Sequence, residues 1–125
     1  MDKKIMKTLK SHAKNSYSPY SKYKVVALLF AESGNAYIGV NVENASYSLT
    51  MCAERSALFT AVSNGERKFE GIIIYSPSKT LPYPCGACLQ ALSEFAGKDF
   101  MVTVTNGKVE KSGKFNEFFP HSFKL

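Results

Sequence analysis

Cys52-Ala53-Glu54 and Pro84-Cys85-Gly86-Ala87-Cys88 hold all three cysteines of the chain. Cys85 and Cys88 stand at C-x-x-C spacing, and Cys52 lies 33 positions before Cys85. A C-x-x-C pair alone also occurs in redox proteins. Three cysteines cannot all pair internally, which points to metal or redox chemistry over a disulfide framework. Each segment opens a predicted helix just after a loop. Helix N-termini present unpaired N–H groups and a positive dipole end. Both lower a thiol's pKa and favour thiolate, the form that binds metal. Three thiolates with one open position is the arrangement of a catalytic zinc site, whereas structural sites usually close with a fourth ligand. His12 and His121 are the only histidines, and neither has ligand spacing to the cysteines. Both read as surface or packing residues.

Glu54 lies two residues after Cys52 at the start of the same helix. That spacing sets its carboxylate beside the metal without making it a ligand. It can take a proton from a water activated there and deliver it to a substrate. The plainer alternative is a helix-start carboxylate favoured by the dipole. C-x-E followed by a distant P-C-x-x-C is much more specific than either piece alone. Three thiolates against Zn²⁺ leave about one negative charge, and Arg55 is placed to compensate it.

The elements that carry these residues follow from pattern. Ile5, Leu9 and Ala13 share one face of a first helix, and Lys3, Lys7, Lys10 and Lys14 share another. Tyr17-Ser18-Pro19-Tyr20-Ser21 breaks it. Lys24 to Ala31 reads as a buried strand, Glu32 to Asn35 as a turn, and Ala36 to Val42 as the returning strand. Alternation puts Asn41 and Glu43 on one face of that strand. Met51 to Val62 reads as a helix stopped by Asn64-Gly65. Gly71 to Tyr75 is apolar on both faces and predicts a central strand. A loop with three prolines leads to a helix over Cys85 to Phe95. Met101 to Thr105 is a strand, Asn106-Gly107 a tight turn, and a short strand follows near Val109. Phe115 to Phe119 forms a last helical turn. The order α-β-β-α-β-α-β-β predicts an α/β chain whose mixed sheet has helices on its faces.

Length and composition bound the rest. The chain has 125 residues, of which 45% are hydrophobic and 21% charged, so residues 1–125 are expected to form one globular domain. Met1 to Lys10 is too polar for a signal peptide, and no apolar run approaches the roughly 18 residues of a membrane span. A cytoplasmic protein without a membrane partner is expected. The net charge of +6 comes from 14 Lys and 2 Arg against 10 acidic residues. A nucleic-acid surface normally brings Arg and interleaved aromatics, and the basic first helix has neither, so its lysines read as a solvated face.

At the level of motif the chain resembles the small, homotetrameric cytidine deaminases. Zinc deaminases carry H-x-E…P-C-x-x-C or its three-cysteine variant. The resemblance also rests on Asn41 to Tyr47 followed by Cys52-Ala53-Glu54-Arg55, on Tyr17 to Tyr23, on Pro84 to Cys88 with Gln90, and on Phe119-Pro120 through Phe123. It implies a three-layer fold with a five-stranded mixed sheet and helices on both faces. It implies that Cys52, Cys85 and Cys88 bind zinc and that Glu54 shuttles protons. Asn41 and Glu43 would bind the ribose, and Tyr23 would pack on the base. Ala45 and Tyr47 would line the site from a neighbouring subunit, and Phe123 would close over the base, also from a neighbour. Arg55 would soften the thiolate charge. Core or interface packing is the alternative for Tyr23, Tyr47 and Phe123. Two positions depart from the family pattern. Val26 stands where Gly is usual and adds bulk beside the expected site, and Leu89 stands where Arg is usual and removes a cation.

The implied activity is hydrolytic deamination of cytidine and deoxycytidine to uridine and deoxyuridine, a step of pyrimidine salvage. An RNA- or DNA-editing deaminase would need a groove for flanking nucleotides, and no sequence is left over to build one. A deaminase of modified cytosine nucleosides and a non-catalytic zinc protein are the other readings. Glu54 argues against the last, because a structural site does not need it.

Overall fold

The computed structural model describes residues 1–125. Asp2 opens helix α1 (Lys3–Ala13) by accepting from the Lys4 N–H at 2.7 Å. Leu9 and Ala13 are its buried face, and the lysines at 3, 7, 10 and 14 lie exposed. Five strands follow: β1 (Val26–Ala31), β2 (Ala36–Val40), β3 (Phe69–Tyr75), β4 (Met101–Thr105) and β5 (Glu110–Lys114). Helix α2 (Ala53–Ser63) lies between β2 and β3, α3 (Gly86–Ser93) between β3 and β4, and α4 (Phe115–Phe118) after β5. The order of elements is the expected one. The strands form a single mixed sheet, ordered β2-β1-β3-β4-β5, in which only β3 and β4 pair in parallel. A parallel pair needs a crossover, and the segment carrying α3 supplies it.

Side-chain alternation along β1 builds three layers. Val26 and Leu28 meet α1 with Leu9, Ala13 and Tyr75. Ala27, Leu29 and Ala31 face the other way, into a core with Ala57, Leu58, Ile72, Ile74 and Leu92. Ile73 packs toward α1 while Ile72 and Ile74 face the main core, so the triple isoleucine is central and covered on both sides. The β5 edge is short, exposed and charged, which blunts pairing with another chain. No helix is long and apolar enough to cross a membrane.

Boundaries move by a few residues. The first strand starts at Val26, not Lys24, and the returning strand ends at Val40, not Val42. Val42 instead bridges to Tyr17 and Met51 outside the sheet. Asn64-Gly65 ends α2, with Gly65 at φ +93°. One correction concerns Val26. Its side chain is fully buried under α1, on the face opposite α2 and α3, and it does not reach the candidate site. It is Val25 that faces there.

The register fixes where functional loops meet. Val26 pairs with Val40 on one side and Tyr75 on the other. The segment leading into β1, the segment leaving β2 and the loop leaving β3 therefore start from one row across the sheet. Above them, α2 lies directly on β2. A Cβ on Gly39 would stand 2.4 Å from the Ala53 carbonyl oxygen and 2.4 Å from the Ala57 nitrogen. Both are backbone atoms, so only glycine permits this approach. Gly39→Ala is expected to lift the first turns of α2 and to cost at least about 2 kcal/mol of stability. Denaturant melts of wild type and variant measure it; equal midpoints would mean that the helix is not seated on Gly39.

Candidate active site

Cys52 is the N-cap residue of α2 and Cys85 that of α3, and Cys88 lies in the first turn of α3. Neither cap cysteine's sulfur accepts a capping bond from a backbone N–H of its helix. Two helix N-termini thus point their positive ends at one spot. The three Sγ atoms lie within 4.8 Å of one another, and Cys52 and Cys85 are 3.9 Å apart. Tetrahedral zinc with Zn–S of about 2.3 Å sets sulfurs about 3.8 Å apart. The cluster is therefore close to the spacing such an ion needs. His12 bonds to its own helix at the Thr8 carbonyl and His121 is exposed, so neither joins the cluster.

The cluster carries its own charge balance. Arg55 Nη2 donates to Cys52 Sγ at 3.4 Å. The thiol of Cys88, by hydrogen bonding, and then Arg55 hold the Cys52 pKa down at about 5. The same contact with Cys52, together with burial, pushes Cys88 far up. The Arg55 guanidinium is stabilised in turn by Cys52, and its Nε is buried without a partner. Leu89, a hydrocarbon, supplies no charge, and its side chain is buried in the main core.

Glu54 is 4% exposed. Burial, then the Cys52 charge, pushes its carboxyl up to about 7. It opens into a cavity of about 260 Å³ shared with Cys52, Cys85, Tyr23, Asn41 and Glu43. That volume is just under the roughly 300–1,000 Å³ of common small-molecule sites. The expected shared face of Asn41 and Glu43 thus leads both into one cavity, although both lie past the end of β2. Glu43 is the opposite of Glu54. The Ser21 hydroxyl first, then the Ser21 and Tyr20 N–H groups, hold its carboxyl below the usual range.

Three of the expected substrate contacts lie outside this cavity, as do Arg55 and the buried Cys88. Ala45 is exposed, and Phe123 is 73% exposed, with its main chain held at both N–H and C=O by the Gln90 amide. Tyr47 lines an adjoining recess with Tyr20, Ser21, Glu43 and Thr50, its ring edge-on to Tyr20. Pro82, Tyr83 and Thr50 line the main cavity and were not read from sequence. The proline-rich loop holding the first two has no periodicity to assign a facing side.

A family model described as the cytidine and deoxycytidylate deaminase zinc-binding region matches residues 1–104. A cytidine deaminase of Sporosarcina psychrophila is 41% identical over 111 residues, covering 87% of this chain and 82% of that protein. The chain belongs to the cytidine deaminase family. A second relative, the cytidine deaminase of Mycoplasma genitalium, is 35% identical and covers 96% of this chain and 93% of its own. The crystal structure of cytidine deaminase from Burkholderia pseudomallei superposes with a TM-score of 0.88 at 35% identity, covering 98% of this chain and all of that one. The five-stranded mixed sheet is thus the family's fold. Zinc is the metal of the matched region, and the thiol cluster fits it.

Metal uptake must displace the Cys88 proton, so affinity falls as pH falls. Cys52, already a thiolate at neutral pH, adds to the loss only near pH 5. Competition with a chromophoric chelator between pH 8 and 6 is expected to show zinc affinity dropping roughly tenfold per pH unit for each proton displaced. A flat profile would contradict the protonated Cys88.

Proposed function

We propose that this chain hydrolyses cytidine and deoxycytidine to uridine and deoxyuridine with release of ammonia, as a pyrimidine-salvage enzyme. Glu54 carries the reading: a buried carboxyl with pKa raised to about 7, opening into the same cavity as Cys52 and Cys85. A structural zinc site has no use for such a group, whereas a proton carrier works best with a pKa near the operating pH. Cys52, Cys85 and Cys88 hold the zinc, which supplies Lewis acidity and brings the pKa of water toward neutrality. Arg55 offsets the thiolate charge.

Glu54 takes a proton from the attacking water and hands it to N3 of the pyrimidine. The water oxygen adds at C4. Glu54 then takes the proton of the C4 hydroxyl so formed and passes it to the C4 amine, which leaves as ammonia while the C4–O bond becomes the carbonyl. Asn41 and Glu43 hold the sugar and Tyr23 packs on the base, which keeps C4 beside Glu54. Glu43, its carboxyl held below the usual range by the Ser21 hydroxyl and two N–H groups, suits hydroxyl donors on a sugar.

The cavity holds one small ligand, and the basic α1 lacks the arginines and aromatics of a nucleic-acid surface. Free nucleosides are therefore the substrates, and neither nucleic acid nor a membrane is a partner. Three reduced cysteines suit the reducing cytoplasm. The enzyme acts as a homotetramer in which Ala45, Tyr47 and Phe123 complete a neighbour's site. Their exposure here, with that of Leu49, supports this.

Glu54→Gln is expected to retain zinc and lose about 10²–10⁴-fold or more in kcat on cytidine. Metal analysis and a uridine-release assay on the same sample check both. Near-normal turnover would remove Glu54 from the reaction, and faster turnover of a C-containing oligonucleotide than of cytidine would overturn the substrate. Light scattering is expected to give four times the chain mass; a monomer with full activity would refute the shared site.

A further inference from the structure

The segment from Ser16 to Val25 crosses Asn41 and Glu43, and its main chain is fastened to both. Asn41 Oδ1 accepts from the Val25 N–H at 3.0 Å, and Asn41 Nδ2 donates to the Tyr23 carbonyl at 2.7 Å. Glu43 Oε1 accepts from the Tyr20 N–H at 3.0 Å and the Ser21 N–H at 3.1 Å. The Ser21 hydroxyl donates its one proton to Glu43 Oε2. Ser21 Oγ in turn accepts the Tyr23 N–H at 3.0 Å.

The Tyr23 peptide is thus gripped on both sides, its C=O by Asn41 and its N–H, through Ser21, by Glu43. Between Ser21 and Tyr23, Lys22 sits at φ +61°, the only non-glycine residue in the left-handed region. Such a conformation persists only where surrounding bonds over-determine it. Ser21 is the one side chain that touches both the Glu43 carboxylate and the Tyr23 backbone. A hydroxyl is needed, because the contact uses one donor and one acceptor on the same atom.

We infer that Ser21 is a positioning residue that couples Glu43 to the backbone of Tyr23, so that engagement of the sugar and placement of the base-facing ring are set together. The inference rests on the proposed nucleoside reading for the roles of Glu43 and Tyr23. Ser21 itself is assigned no contact with the reacting atoms.

Zinc-loaded wild type, Ser21→Ala and Ser21→Thr are compared on cytidine and on 2′,3′-dideoxycytidine, which lacks the ring hydroxyls a carboxylate would accept from. Ser21→Ala is expected to raise KM for cytidine about tenfold or more, the scale of a hydrogen bond to a charged group, with kcat changed far less. KM for the dideoxynucleoside should move little, so selectivity between the two collapses. Ser21→Thr keeps the hydroxyl and should restore it. Equal losses on both substrates, or a loss that Thr does not rescue, would overturn the coupling.

A second readout needs no turnover. Carboxyl ¹³C NMR should show the Glu43 pKa rising in Ser21→Ala and returning in Ser21→Thr, because the Ser21 hydroxyl is the main group holding it down. An unmoved Glu43 titration would overturn the inference by itself. If wild type turns over neither nucleoside, the proposed function fails, and the Glu43 titration still decides the coupling of Ser21.

Discussion

Three thiols cannot all ionise within 4.8 Å of one another unless positive charge faces them. Bringing them together is the constraint that orders the rest of this molecule. Two helix N-termini converge on the sulfurs, and their unpaired N–H groups supply partial positive charge that costs no side chain. One guanidinium adds a full charge at 3.4 Å. The other arginine of the chain, Arg67, bonds the Val62 and Glu66 carbonyls at the far end of α2. Position 89 could have carried a cation, but Leu89 turns into the core. Arg55 is therefore alone with the thiolates.

Convergence of the two helix starts is a property of the sheet. The row Val40–Val26–Tyr75 sets the exits of β2 and β3 on either side of the entrance to β1. Open α/β sheets bind ligands outside the carboxyl ends of their strands. Here that edge also receives Tyr23 and Val25 from the chain entering β1. Gly39 then decides how low α2 can lie. With any side chain at 39, Ala53 would be pushed outward, and Cys52 and Glu54 would move with it. A backbone contact on β2 thus controls the distance between sulfurs carried by different helices.

Local pattern made much of this readable. Apolar alternation, Asn-Gly turns and helix-start residues placed all five strands and all four helices within a few positions. The cysteine spacing and Glu54 pointed to one site because helix N-termini have fixed geometry. What sequence did not carry was the facing of residues in segments without a period. β1 runs Val-Ala-Leu-Leu-Phe-Ala, apolar at every position. With both faces buried, nothing in those residues says which parity faces the site, so Val26 was expected there when Val25 is the residue that lines it. Pro82 and Tyr83 lie in an aperiodic loop whose path depends on tertiary contacts, among them the Tyr83 ring against Phe118. Ser21 looks like an ordinary turn residue, because its partner Glu43 is 22 positions away.

The two glutamates of the cavity show how one side chain takes two roles. Both open into the same 260 Å³ space. Glu54 is buried beside a thiolate, where the charged form loses hydration and meets like charge, so its carboxyl rises to about 7. Glu43 accepts from a hydroxyl and two N–H groups, all of which favour the charged form, so its carboxyl falls. Environments that push paired carboxyls apart divide them into a proton carrier and a fixed acceptor. For hydrolysis at C4 the division has a direction. In the proposed reaction the group that exchanges protons lies by the metal and the base, and the carboxyl held low lies by the hydroxyls of the sugar. Exchanging the two environments would leave a carboxylate that cannot protonate the base and an acid that competes with the sugar as donor. The turn from Tyr20 to Tyr23 maintains the difference, since it supplies every hydrogen bond that holds the Glu43 carboxyl low and none that reaches Glu54.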